Sequence, residues 1–375
     1  MPGPRFIVAG GGTGGHIYPA LAIAQGLRRT FPGCGVYYVG TAGGLEADIV
    51  PRTGLPFRTI AAAGLKRRLT VKNLWVLMLA MKGACEALSL IREIKPAVVV
   101  GTGGYVSGPV LLAAHLLRVP VLIHEQNAFP GLTNRIFARL AGYAALTFAE
   151  AARYLPGGVK LKITGLPVRE EILQTDREDA RARLGVGGQT VLLSFGGSRG
   201  AERLNLAMAD VIRAYAGRPG LRIYHATGKA GHEKFWEMLS AGGIDPGGMG
   251  NVTIAPFFYQ IADYLAAADL VICRAGAATI AELTCLGRPA VLIPYPHATA
   301  NHQEFNARAL ESRGAAVVIR DAELSGERLL RELDRLLSNP AELRVMAEKS
   351  ALLGKPDALE RIISCIRELA AVSGR

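Results

Sequence analysis

Cysteine is scarce and scattered. The five residues, Cys34, Cys85, Cys273, Cys285 and Cys365, are odd in number and show no CxxC or CxxH spacing. That argues against a disulfide framework and a zinc site, and for a reducing compartment. Aromatic residues make up only 6% of the chain, and no helix-turn-helix, RNP or zinc-finger pattern occurs. Nucleic acid is therefore a poor partner for it. Long apolar runs are missing too. The best, Leu74 to Ile91, is interrupted by Lys82 and Glu86 and flanked by Lys72 and Arg92, so any membrane contact is expected to be peripheral. No secretory leader is visible, because Phe6-Ile-Val-Ala runs straight into a glycine-rich turn. Charge is sparse at 20%, but half of the chain is apolar, which rules out disorder.

The charge that is present is placed unevenly. Residues 1–165 hold 18 Lys and Arg against 6 Asp and Glu, whereas residues 166–375 hold 25 against 25. All of the net +12 thus lies in the first part. A one-sided basic field points to an anionic partner there, phospholipid or pyrophosphate ahead of nucleic acid.

At 375 residues the chain suits two α/β domains rather than one core. Strands are read at Phe6–Ala9, Val36–Val39, Ala97–Val100, Val119–His124 and Ala144–Phe148. A second series falls at Thr190–Phe195, Leu221–Thr227, Val252–Ala255, Leu270–Cys273, Ala290–Pro294 and Ala315–Ile319. Helical stripes lie between them, as in Ile17, Ala20, Leu21, Ala24 and Leu27. Each series opens alike, with a strand, a glycine turn and a helix start. The expected architecture is two Rossmann-like domains facing each other across a cleft. They are placed at 1–165 and 166–354, with a last helical segment at 355–375 that could pack back on the first domain.

Gly10, Gly12 and Gly15 satisfy GxGxxG. A dinucleotide site would also want an acidic residue at the end of the second strand. That strand ends Val39-Gly40-Thr41-Ala42, with no carboxylate nearby. What remains is a glycine-rich helix N-terminus suited to phosphate or an oxyanion. His16 closes this turn. The positive end of the helix dipole and the basic domain around it both disfavour imidazolium, which makes His16 a candidate general base. Glu125 is the competing base, with His16 then only positioning the acceptor. In the second half, small residues from Arg274 to Ala281 let a backbone approach phosphate, and Glu282 can accept from both hydroxyls of a ribose. Asn301, His302 and Gln303 open a helix with groups that read sugar hydroxyls. His297 and His302 lack a third ligand, and no Asp-x-Asp occurs, so no metal is expected.

Seven motifs occur in order: Gly10-Gly-Gly-Thr-Gly-Gly-His16, Gly103-Gly-Tyr-Val-Ser-Gly-Pro109, His124-Glu-Gln-Asn127, Gly131-Leu-Thr-Asn134, Gly196-Gly-Ser198, Arg274-Ala-Gly-Ala277 with Glu282, and Gln303-Glu-Phe-Asn-Ala307. Together they resemble the MurG family of UDP-N-acetylglucosamine transferases, over nearly the whole chain. The resemblance implies a glycosyltransferase B fold and transfer of N-acetylglucosamine, with inversion, to the C4 hydroxyl of the muramyl sugar of lipid I. It implies no cofactor. It also implies a peripheral place at the cytoplasmic face of the cell membrane, on anionic phospholipid.

By position, the resemblance puts donor contacts at Thr13, Gly14, Gly15, Asn127, Arg169, Ser198, Ala277, Ala278, Thr279, Ile280, Ala281, Glu282 and Gln303. The backbone of Phe258 would read uracil. Tyr105 and Asn134, with His16 and Glu125, are acceptor-side candidates. A basic edge of Lys66, Arg67, Arg68 and Lys72 beside Leu74, Trp75, Leu77, Met78 and Leu79 is the expected membrane contact. Three positions depart from the family: Arg199 stands for Gln, Leu166 for Asn, and Leu65-Lys-Arg-Arg68 for Leu-Arg-Gly-Lys. Two rival readings remain: a UDP-N-acetylglucosamine 2-epimerase-like enzyme, and a non-catalytic nucleotide-sugar-binding protein at the membrane.

Overall fold

The computed structural model describes residues 3–64, 71–197, 200–242 and 250–373, with residues 71–74, 76, 77 and 373 described by their backbone alone. Seven strands build the first sheet: β1 (Arg5–Gly10), β2 (Gly35–Gly40), β3 (Phe57–Thr59), β4 (Val98–Gly103), β5 (Val121–Glu125), β6 (Tyr143–Leu146) and β7 (Lys160–Ile163). Their order is β3-β2-β1-β4-β5-β6-β7, and every pair is parallel. Six more build the second: β8 (Thr190–Phe195), β9 (Leu221–Ala226), β10 (Val252–Ala255), β11 (Leu270–Cys273), β12 (Ala290–Leu292) and β13 (Ala316–Val318). The order is β10-β9-β8-β11-β12-β13, again all parallel.

The central strands are continuous apolar runs because helices cover both faces of a parallel sheet. Phe6 to Ala9 and Val98 to Val100 are completely buried, and so are Val191 to Leu193. In each sheet the chain moves outward on one side of its first strand, then crosses over and proceeds the other way. The reversal lies between β1 and β4 in the first sheet and between β8 and β11 in the second. Loops at the carboxyl ends of such strands diverge, which is where open α/β sheets bind ligands. Both glycine turns sit there.

The chain divides into two units, Met1–Pro167 with Pro356–Arg375, and Val168–Lys355. The helix Ala358–Ser373 buries Ile362, Ile363, Cys365 and Ile366 in the core formed by β1, β2, β4 and the helix Gly14–Thr30. Gly26 leaves room for it: a Cβ there would stand 2.8 Å from Leu359. The Tyr143 hydroxyl donates to Glu368, fastening the same helix to β6.

β3 and β7 stand outside the strands expected from the sequence. Both are edge strands. β7 reads Lys-Leu-Lys-Ile, exposed throughout, so it lacks the buried apolar run that marks its neighbours.

Candidate functional site

The first glycine turn is braced from beneath. β1 ends at Gly10, the helix starts at Gly14, and Thr13 stands between them in extended backbone. Gly12 takes φ +84°, a left-handed conformation in which a side chain would also strike the Tyr105 ring. Tyr38 donates its hydroxyl to Gly10 O at 2.7 Å. Glu46 is fully buried and accepts from Gly12 N at 3.0 Å, Thr41 N at 3.0 Å and Thr41 Oγ1 at 2.8 Å. Burial pushes this carboxyl up, but the hydrogen bonds from Gly12 and Thr41 outweigh it and hold it below the usual carboxylate range.

Glu46 corrects the sequence reading, which finds no carboxylate at the end of the second strand. The short helix Leu45–Ile49 turns one back to that place. Its oxygens are taken up by the glycine turn and by Thr41 rather than left for a ribose, so a dinucleotide site is disfavoured for a different reason. The only sequence signal was an acidic residue just after the Gly43-Gly44 pair.

His16 lies on the first turn of its helix, where two strand ends converge. Its Nδ1 is 2.9 Å from Thr102 O, in β4, and 2.9 Å from Gln126 Oε1, just past β5. Gln126 is buried, and its Nε2 donates to His124 O at 3.0 Å, with His124 Nδ1 also at 3.0 Å. His124 Nε2 meets Gly165 O at 3.0 Å. Burial drives the His124 pKa down to about 4, against the Gly165 bond.

Glu125 is placed differently from a free base. It is 1% exposed, and Oε1 accepts from Asn127 N at 2.9 Å and Asn127 Nδ2 at 3.4 Å. Oε2 accepts from Gly131 N at 3.0 Å and Asn134 Nδ2 at 2.8 Å. The carboxylate folds the loop from Asn127 to Gly131. Asn134 is equally buried, so it reaches His124 O and Glu125 rather than the surface. The Tyr105 ring covers the glycine turn, with its hydroxyl 3.5 Å from Thr41 Oγ1.

In the second unit Gly276 caps the helix Ala277–Cys285, and Glu282 lies between one and two turns along it. Its side chain is 15% exposed, and its Oε1 accepts from Arg169 Nη2 at 3.0 Å and Nε at 3.2 Å. Arg169 also pairs with Glu171 at 2.9 Å. Burial raises the Glu282 pKa above the ordinary value, and Arg169 offsets only part of this. Gln303 begins the helix His302–Glu311 behind two residues in left-handed backbone, Ala300 and Asn301. The Tyr295 N–H donates to Gln303 Oε1 at 2.9 Å, so the amide nitrogen is the end turned away. Arg274 supports the loop by pairing with Asp321 and donating to Ile293 O and Pro294 O.

Each of the two units matches a known domain family. The glycosyltransferase family 28 N-terminal domain matches residues 6–145, and the family's C-terminal domain matches residues 191–362. A UDP-N-acetylglucosamine--N-acetylmuramyl-(pentapeptide) pyrophosphoryl-undecaprenol N-acetylglucosamine transferase from Desulforudis audaxviator is 56% identical over 99% of this chain and 100% of its own length. The chain belongs to the MurG family. The crystal structure of Acinetobacter baumannii MurG superposes with a TM-score of 0.81 at 30% identity, over 97% of this chain and 99% of that one. The glycosyltransferase B fold is thereby established. A UDP-GlcNAc 2-epimerase from Neisseria meningitidis also superposes, with a TM-score of 0.64 at 12% identity, over 97% of this chain and 100% of that one. At that identity the likeness shows the fold alone.

The MurG motifs read from the sequence do not all present side chains. Ile280 and Ala281 are buried, and Ile280 N bonds Gly276 O. The Phe258 ring stacks on Tyr264 at 4.2 Å and is 5% exposed. Thr13, Gly15 and Ala278 are exposed, while Gly14, Ala277 and Thr279 are half-buried. Leu166, which departs from the MurG pattern, is buried. Ser198 and Arg199, like Lys66, Arg67 and Arg68, lie outside the described residues. The helix Val71–Ile94 exposes Trp75, Met78 and Met81 at three-residue spacing, with Leu79 half-buried. Among the described residues, no helix is long and apolar enough to cross a membrane.

Proposed function

We propose that this chain transfers N-acetylglucosamine from UDP-N-acetylglucosamine to the muramyl C4 hydroxyl of lipid I, yielding lipid II. The observation that carries the reading is the full-length likeness, at 56% identity, to an enzyme named for that transfer. In the reaction the acceptor hydroxyl gives its proton to a base and its oxygen bonds the anomeric carbon. The bond from that carbon to UDP breaks, and UDP leaves with the electron pair.

His16 is the base that the geometry favours. Its Nδ1 faces two oxygens, Thr102 O and Gln126 Oε1, which can only accept. The ring proton therefore sits on Nδ1, and Nε2 keeps the lone pair that a base needs. Glu125 already accepts four hydrogen bonds and serves to shape the loop that carries Asn127. On the donor side, Glu282 suits the ribose hydroxyls, and the outward amide of Gln303 suits the sugar. Arg169 and the N-terminus of the helix Ala277–Cys285 would stabilise the charge growing on departing UDP. The first unit would rest on anionic membrane at the cytoplasmic face, through the exposed residues of Val71–Ile94 and the basic segment before it.

UDP release measured with and without a polyprenyl-diphosphate-linked acceptor tests the activity. Release that needs the acceptor is expected. Release from UDP-N-acetylglucosamine alone would indicate epimerase-type chemistry, and none in either case would indicate a binding protein. His16→Ala should lower lipid I turnover by about 100- to 10,000-fold, the usual range for losing a base. A folded variant that binds both substrates and keeps more than about a tenth of turnover would remove His16 from that role.

A further inference from the structure

The hydrogen bonds behind His16 admit one arrangement of protons. Gly165 O can only accept, so His124 must carry its proton on Nε2. His124 Nδ1 is then a bare acceptor. His124 O is an acceptor as well, so both hydrogens of the Gln126 amide point toward His124. That leaves Gln126 Oε1 facing His16, where it accepts from Nδ1–H together with Thr102 O. His124 is completely buried and Gln126 is 1% exposed, so water does not compete for these contacts.

We propose that Gln126 is a positioning residue for His16, with its amide orientation set by the buried His124, so that the proton of a neutral His16 sits on Nδ1 and Nε2 is the nitrogen left bare. His124 and His16 thus hold opposite tautomers within one network. Buried as it is, His124 stays neutral well below pH 7, which keeps the order intact under working conditions. The catalytic meaning rests on His16 being the base; the proton order does not.

Nitrogen-15 spectra of the full chain with labelled histidine test the arrangement. Single His→Gln variants of the seven histidines supply the assignment. The expected result is a protonated Nδ1 and bare Nε2 for His16, and the reverse for His124. Gln126→Met should let a measurable Nε2–H fraction of His16 appear. It should also lower kcat about tenfold, the scale of losing an outer partner of a functional imidazole, with KM for UDP-N-acetylglucosamine within about twofold. A wild-type His16 protonated on Nε2 would overturn the proposal, and that spectrum suffices even where the variant does not fold. So would a folded Gln126→Met protein with the wild-type tautomer, whatever its kcat. Failure of the base assignment looks different: His16→Ala would keep its turnover while the wild-type spectrum stayed as described.

Discussion

Glu282 and Arg169 are each other's partners at 3.0 Å, so a nucleotide that takes both must replace one ion pair with two contacts of its own. Arg169 is half exposed and keeps Glu171, so its release costs little. The carboxylate, in contrast, is desolvated and would gain strongly from two hydroxyl donors. Glu282→Ala should weaken UDP and UDP-N-acetylglucosamine alike by about 1.5–3 kcal/mol. Calorimetry that finds UDP affinity unchanged in a folded variant would take Glu282 out of the site. Gln303→Ala should separate the two ligands, raising KM for the nucleotide sugar while UDP inhibition stays nearly constant. An equal loss for both would assign this loop to pyrophosphate. Residues such as these were legible because small residues, an acid and an amide cluster in short motifs. Gly12 to Glu46, His16 to Thr102 and His16 to Gln126 are contacts across 34, 86 and 110 residues. No spacing rule reaches that far, so Glu46 was missed and Gln126 was only a letter inside a motif.

Strand–helix alternation was readable wherever an element is buried, since burial writes a continuous apolar run into a parallel strand. It failed at β3 and β7, whose sequences answer to solvent on one side. The helix Val71–Ile94 shows the opposite balance. Trp75 and Met78 are each 56% exposed, and Met81 is 62% exposed, an apolar strip that water does not favour. With a basic segment preceding it in the sequence, the strip would suit the anionic lipid surface proposed above. Sedimentation with vesicles should show binding that rises with phosphatidylglycerol or cardiolipin and falls with salt. Trp75→Ser with Lys66→Ser should reduce it. Binding indifferent to lipid charge would defeat the electrostatic part of the claim.

At the scale of the molecule, each unit encloses one fully buried histidine, His124 in the first and His225 in the second. Burial lowers their pKa values to about 4 and about 3. Unfolded, both would titrate near 6.5. Above that value neither state binds the proton and nothing is lost. As pH falls below it, the unfolded chain takes up protons that the folded units refuse, and stability drops until the folded values are reached. The slope is about 1.4 kcal/mol per pH unit for each histidine. Melting should therefore weaken already between about pH 6.5 and 5, before most carboxylates titrate, and His225→Gln should flatten that slope in the second unit. A stability that holds level across this window would contradict it.

The helix Ala358–Ser373 belongs to the first unit although the whole second unit precedes it in the chain. A ribosome therefore delivers residues 356–375 only after residues 168–355 have emerged. Until then the core around β1 lacks Ile362, Ile363 and Ile366, each worth about 1.5–3 kcal/mol when buried. Against a domain stability on the order of 5–15 kcal/mol, that is a large share. The unit whose synthesis begins first is thus the one completed last, and its apolar surface stays open to chaperones, or to other nascent chains, while the second unit is being made.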